Sequence, residues 1–235
     1  VHTYTIIDND AAPNVTLSVS SPIAEAAGTS AVTATLDAVS GLPVTVDLTY
    51  TDGTATLTSD YTVTTSQIVI AAGSLSNSVT GITAVQDLLD ENDETIIVTL
   101  SNPVNATLGT NTVHTYTITD NDATPSIAFN TDNSNGDESV SSADLAVDLS
   151  ATSGLDVTVD YVITGTATGS GTDYYLANGA LTISSGDADN TENITIASIV
   201  EDLLDETDET IIVTLSNPVN AVSYTHLRAH ETKAN

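Results

Sequence analysis

The 235 residues include no cysteine, methionine or tryptophan, one phenylalanine, and only two lysines or arginines. Without cysteine there are no disulfides and no thiolate metal sites, so stability has to come from packing or from an oxygen-bound metal. Two basic residues against 32 acidic ones leave a formal charge of -30, which excludes nucleic acid as a partner. Soluble domains usually intersperse both signs; here the carboxylates have to be balanced by water, salt or bound cations. No apolar run is long enough to cross a bilayer, so direct membrane insertion of this segment is not expected. There is no initiator methionine and no signal-peptide pattern, and the chain reads as part of something longer, with any secretion signal or anchor outside it.

What is present is a β-forming composition. Hydrophobic residues make up 40 % of the chain and are mostly Val, Ile, Leu and Ala interleaved with Thr and Ser, unlike a disordered acidic tail. Val1-His-Thr-Tyr-Thr-Ile-Ile-Asp-Asn-Asp10 returns, with one change, as Val113 to Asp122, and the stretch from Asp87 to Ala106 returns, again with one change, as Asp202 to Ala221. The repeat is domain-sized, too long for a solenoid turn. Its register predicts the end of a preceding repeat at residues 1–10, a complete repeat at 11–122, and a second at 123–221 that stops before its last strand. Residues 222–235 do not continue the pattern. They hold both basic residues, Arg228 and Lys233, and resemble the translation of a transposase adapter used in sequencing libraries, so they are left out of fold reasoning.

Within the complete repeat, apolar residues alternate with period two: Val15, Leu17, Val19; Val32, Ala34, Leu36; Val44, Val46, Leu48, Tyr50; Ile68, Ile70; Ile96, Val98, Leu100; His114, Tyr116, Ile118. Such alternation predicts half-buried strands. Another strand is expected around Ser78 to Val85, with a bulge at Gly81. Ser40-Gly41, Asp52-Gly53, Ala72-Gly73 and Ser101-Asn102-Pro103 read as turns. About seven strands per repeat, with no convincing helix, predict an all-β fold of tandem immunoglobulin-like antiparallel β-sandwiches.

Five carboxylates fall within eight residues at Asp87, Asp90, Glu91, Asp93 and Glu94, and the second copy repeats them at Asp202, Asp205, Glu206, Asp208 and Glu209, preceded by Glu201. Each run is expected to be a loop between strands. Turn-forming, solvated Asp and Asn would explain one such loop; duplication and the lack of counter-charges favour metal. Calcium takes six to eight oxygen ligands in flexible geometry, whereas zinc or copper would want His or Cys.

These pieces resemble the Calx-beta domain, known from sodium/calcium exchangers, integrin β4 and bacterial surface repeat proteins. The resemblance runs through Ile23-Ala-Glu25 before a Gly-Thr, Asp52-Gly-Thr-Ala-Thr-Leu-Thr-Ser-Asp60-Tyr61, Glu91-Asn-Asp-Glu-Thr-Ile96 leading to Val98-Thr-Leu-Ser-Asn-Pro103, and Ile118-Thr-Asp-Asn-Asp122. It implies calcium ions at one end of each sandwich. Carried over by position, the ligands would be Glu25, Asp60, Asp87, Glu91, Asp120 and Asp122 with a main-chain carbonyl near Leu89, and in the second repeat Glu138, Asp173, Glu201, Asp202 and Glu206. Two departures stand out, of which the first implies fewer ions or weaker affinity in the first repeat. Gln86 stands where the best calcium binders carry Asp, and the second repeat lacks its closing Asp-Asn-Asp.

Other signals carry less. His2 and His114 sit at matching strand positions with no nucleophile or orienting acid marked nearby, so an enzyme is not expected. Asp132-Asn-Ser-Asn-Gly136 has its glycine misplaced for an EF-hand and reads as a turn. Asn14, Asn105 and Asn193 begin glycosylation triplets of a kind that arises by chance in a chain this rich in Asn and Thr. The function expected is a calcium-binding structural or adhesion module of a large secreted or bacterial cell-surface repeat protein, with calcium rigidifying the domains and their junctions. Its partners would be calcium ions and neighbouring repeats, and its adhesive ligand is not legible. A metal-independent acidic spacer, a regulatory calcium sensor and an appended module of a secreted enzyme are the alternatives.

Overall fold

A computed structural model describes residues 1–18, 22–203 and 205–223. The chain forms two compact units: Val1–Asp87 with Asn92–Asn121, and Leu88–Glu91 with the chain from Asp122 onward. Val19 and residues 224–235, which include most of the adapter-like segment, lie outside the described residues.

The first unit contains β1 (Asn14–Ser18), β2 (Ile23–Ala24), β3 (Thr29–Leu36), β4 (Val44–Asp52), β5 (Tyr61–Val63), β6 (Gln67–Ile70), β7 (Ser76–Ala84), β8 (Glu94–Val104), β9 (Thr107–Leu108) and β10 (Val113–Thr119). They form two five-stranded sheets, ordered β5-β7-β3-β1-β9 and β2-β10-β8-β4-β6. The inward residues of both sheets make one core, including Val15, Val32, Val46, Ile68, Ile82, Ile96, Val98 and Tyr116. All of these but Ile82, which lies on the strand expected around Ser78 to Val85, are residues of the period-two pattern, because alternate side chains of a strand share a face. The sandwich is therefore as expected, with three short edge strands added. Two of these, β2 and β9, pair parallel with β10 and β1, a departure from the purely antiparallel expectation.

The second unit contains β11 (Ser126–Phe129), β12 (Ser142–Leu149), β13 (Val157–Gly165), β14 (Gly179–Ile183), β15 (Thr191–Ala197), β16 (Ile211–Val219) and β17 (Val222–Ser223). Its sheets are ordered β15-β12-β11-β17 and β14-β13-β16. They share a smaller core around Ile127, Val147, Val157, Val159, Ile183 and Ile194.

Gly81 sits at the expected bulge. The β3–β7 register steps from Ser30↔Ile82 to Ala31↔Thr80 and skips it. A Cβ there would lie 2.5 Å from the Tyr50 hydroxyl and 2.7 Å from Val32 Cγ2, so glycine lets the bulged strand approach the core.

Two expectations are corrected. Ser101-Asn102-Pro103 does not end a strand, since β8 runs through it with a bulge between the pairs Thr45↔Val104 and Asp47↔Ser101. Asn102 takes a left-handed φ of 48° and its repeat mate Asn217 one of 50°, a conformation Asn tolerates better than most residues. Proline at a bulge gives up no ladder hydrogen bond. The second correction concerns residues 1–10. They match β10 in sequence, yet among the described residues they form no strand and stay exposed. A strand exists only through its hydrogen-bonded neighbours, and among the described residues these ten pair with no strand.

Candidate metal centre

Glu25 opens the 3-10 turn Glu25–Ala27 that follows β2. Its side chain is 7 % exposed, and Oε1 accepts the backbone N–H of Asp87 at 3.2 Å. A buried carboxylate needs compensation of this kind. Side-chain oxygens of Glu25 and Asp87 lie within 4.8 Å of one another, as do those of Asp60 and Glu94. Two unit charges at that distance repel by about 3 kcal/mol at an effective dielectric constant near 20. Asp120 follows β10 and its N–H donates to Asp93 Oδ1 at 3.2 Å. The first unit thus assembles Glu25 with Asp87, and Asp60 with Glu94. Leu89, Glu91 and Asp122 are half-buried and group with the second unit.

The loop from Asp52 to Tyr61 is fixed at both ends. The wholly buried Tyr61 donates its hydroxyl to Asp52 Oδ1 at 2.6 Å, and burial, followed by this bond, pushes the phenol above its ordinary pKa. Asp60 Oδ2 accepts the Thr56 N–H at 2.6 Å, while its own N–H donates to the Thr56 carbonyl at 3.0 Å. Its carbonyl accepts the Val85 N–H at 2.9 Å. The second repeat builds the same device. Asp173 accepts the Thr168 N–H at 2.5 Å, donates to the Thr168 carbonyl at 3.0 Å, and its carbonyl takes the Val200 N–H at 2.9 Å.

The Gly-Thr-Ala-Thr run has its own task. Gly53 and Ala55 N–H groups both donate to the Thr95 carbonyl, at 3.0 and 3.1 Å, so the segment leading to Asp60 is tied to the residue after Glu94. In the second unit Thr166 and Ala167 donate to the Thr210 carbonyl at 3.0 and 3.1 Å, tying the Asp173 segment to the residue after Glu209.

Four of the carboxylates expected in the second repeat, Asp202, Glu206, Glu201 and Asp173, all act on the fifth, Glu138. The Glu138 carboxyl is held above the usual glutamate value of 4.5, first by desolvation and then by the charges of Asp202, Glu206, Glu201 and Asp173. Glu209 is also raised, first by a hydrogen bond with Asp173, then by desolvation and the charges of Asp173, Glu206 and Glu138. Crowding of like charges without a counter-ion favours protons on the cluster. A hard cation would relieve the same repulsion, and an all-oxygen donor set suits calcium.

Carboxylates elsewhere are treated differently. Asp37 is held below its ordinary value by Asn14, through its side-chain amide and then its backbone N–H. Asp47 is lowered by the amides of Gln67 and Asn102. Neutral donors stabilise those charges one at a time, whereas the loop carboxylates are gathered together.

Gln86 is also explained. Its Oε1 accepts the Asn121 amide at 2.9 Å and its Nε2 donates to the Asp87 carbonyl at 2.6 Å. A neutral amide therefore links the closing Asp-Asn-Asp to the acidic loop where the second repeat has Glu201. Glu94 and Glu209 were absent from the ligands implied by resemblance. Their signal was the Glu-Thr-Ile-Ile run, which sets each glutamate immediately before the threonine clamp.

Among solved structures, the chain is similar to CBD12 from CALX1.2, at 22 % identity over 88 % of this chain and 80 % of that one, with a TM-score of 0.45. It is also similar to the calcium binding domain CBD12 of CALX1.1, at 21 % identity over 87 % and 79 %, with a TM-score of 0.44. The apo-form Calx CBD1 domain is 20 % identical over 47 % of this chain and 98 % of that one, with a TM-score of 0.44. No curated protein matches the chain. The model of the Calx-beta domain matches residues 8–122 and again residues 120–235; two tandem copies thus account for nearly all of the sequence, and the chain belongs to the Calx-beta family.

Proposed function

We propose that the chain is a calcium-binding structural module of a larger secreted or cell-surface protein, in which calcium stiffens each repeat by tying its acidic loops together. The observation that carries this reading is the gathering of Asp173, Glu201, Asp202 and Glu206 around Glu138, from separate segments of one unit with no lysine or arginine in residues 1–221. These five, with Glu209, would hold the ion in the second repeat. Glu25, Asp60, Asp87, Glu94 and Asp120 are the candidates in the first unit. The bound ion supplies positive charge and oxygen coordination; the protein supplies loops already fixed by Thr56, Thr95, Thr168 and Thr210. Binding to a folded cluster and not to the unfolded chain adds stability by mass action.

Adhesion and a bacterial surface location belong to the same proposal. Their support is the duplicated, nearly lysine-free sequence, which suits a stalk of repeats, and the Asp-Asn-Asp that ends one repeat in sequence where the next begins. The role is one of binding and mechanics, not catalysis. Calcium titration by calorimetry, paired with thermal melts in calcium and in chelator, tests it. Saturable binding and a raised melting temperature, both reduced in Asp173→Asn and Asp60→Asn, are expected. No binding heat and identical melts would leave the acidic spacer.

A further inference from the structure

We propose that Asn135-Gly136 is a self-modification site, at which the asparagine loses its side-chain amide and turns into aspartyl and isoaspartyl products without an enzyme. The sequence contains two Asn-Gly pairs, Asn135-Gly136 and Asn178-Gly179, and the fold treats them differently. In this reaction the main-chain nitrogen of the following residue attacks the side-chain carbonyl carbon. Glycine permits the attack best, because no Cβ stands in the way and its backbone is the freest to turn.

Asn135 lies in the loop between β11 and β12, where every residue from 130 to 142 is exposed. Among the described residues no hydrogen bond holds the Asn135 carboxamide or the Gly136 N–H. A Cβ built on Gly136 would meet only Val140 Cγ2, at 3.8 Å, so the segment has room to fold onto itself. The position is open in the first repeat as well. Pro22 precedes Glu25 by three residues, as Asn135 precedes Glu138, and it is exposed although β2 beside it pairs with β10. The first repeat reads Pro-Ile there and has no amide to lose.

Asn178 is held. Its Oδ1 accepts the Ile163 N–H at 2.8 Å, and Gly179 opens β14 opposite Tyr161. A Cβ on Gly179 would lie 2.7 Å from the Tyr161 hydroxyl. Reaction at Asn178 therefore requires this end of β14 to open first.

The step balances with water alone. A bond forms from the Gly136 nitrogen to Asn135 Cγ, the Cγ–Nδ2 bond breaks, and the Gly136 proton leaves with Nδ2 as ammonia. The succinimide ring then takes up one water at either carbonyl. Opening at Cγ gives aspartate in an ordinary chain; opening at the main-chain carbonyl gives isoaspartate, whose chain runs through Cβ. Either product replaces a neutral amide by a carboxylate in the segment that leads to Glu138, around which Asp173, Glu201, Asp202 and Glu206 gather. The second repeat grows more acidic with age at a place where the first does not.

The full chain, incubated warm at neutral pH, is mapped at intervals by mass spectrometry with a separation that resolves the two products. Asn135 should convert to both, faster as pH rises, and about tenfold or more faster than Asn178. It should also outrun Asn133, which shares the loop but precedes Ser134. In denaturant the lead over Asn178 should vanish, because both pairs are then unprotected. Gly136→Val should slow conversion about tenfold by stiffening the attacking residue, with circular dichroism confirming that the fold is kept. Conversion at Asn135 no faster than at Asn178 or Asn133 in the folded chain would overturn the proposal. So would aspartate without isoaspartate, because the Gly136 nitrogen would then not be the attacking group.

Discussion

Thr95 and Thr54 exchange two hydrogen bonds: the Thr95 N–H donates to Thr54 Oγ1 at 2.8 Å and the Thr54 N–H donates to Thr95 Oγ1 at 3.1 Å. Thr210 and Thr166 do the same at 2.9 and 3.3 Å. Each pair locks the strand that starts beside a glutamate to the loop that ends at an aspartate, so the threonines set the spacing of Asp60 and Glu94 without being ligands. Thr95→Val should therefore weaken calcium binding in the first repeat several-fold although every carboxylate remains. Loss of one hydroxyl also costs about 1 kcal/mol of stability in chelator. Calorimetry and melts of the variant check both.

The raised carboxyl of Glu138 fixes a direction for pH dependence. Its folded-state value lies above 4.5, so the folded chain holds a proton there that the unfolded chain has released. In chelator the second repeat should gain stability as pH falls from neutral toward the ordinary glutamate value, and lose it as pH rises. Glu138→Gln should raise the melting temperature in chelator and flatten that trend. Asp37 and Asp47 act in the opposite sense. Their values are lowered from 3.8, so the stability they give the first repeat is present above 3.8 and is lost as pH falls through their lowered values. Melts against pH, with the two repeats followed by site-specific probes, separate these slopes.

Gln86→Glu should increase calcium uptake by the first repeat. The substitution adds a carboxylate where the second repeat has Glu201, and it removes the amide donor to the Asp87 carbonyl. Stability in chelator should fall while the gain in melting temperature on adding calcium grows. Calorimetric stoichiometry and paired melts read the two effects.

Gly81→Ala should destabilise the first repeat by about 1–3 kcal/mol. The added methyl meets the Tyr50 hydroxyl and Val32 Cγ2, and the Tyr50 ring is confined: burial, with Tyr116 nearby, pushes its pKa up to about 12. Denaturant melts in chelator test this, and a variant as stable as the parent would show that the bulge can shift.

The strand pattern was legible because burial of alternate side chains leaves a period-two trace. Val44 through Tyr50 shows it, and Gly81 interrupts it where the bulge lies. Ser101-Asn102-Pro103 was misread, since a turn-forming tripeptide and a bulge inside a long strand draw on the same residue types. The carboxylate clusters were visible as runs, and matching the two repeats identified which acids correspond. The roles of Glu94, Glu209 and the threonine clamp were hidden, because each depends on segments about forty residues apart being hydrogen-bonded together.

By itself the sequence determined the all-β class, the two repeats and the concentration of negative charge in their loops, since periodicity, duplication and composition are properties of the chain alone. Only the tertiary structure decided which carboxylates face one another and which strands are completed. The same DETIIVTLSNPV segment is buried in one repeat and half-covered in the other. Residues 1–7 carry the pattern of β10 without being a strand. A side chain's surroundings are set by its neighbours across the sheet, and those neighbours are distant in sequence.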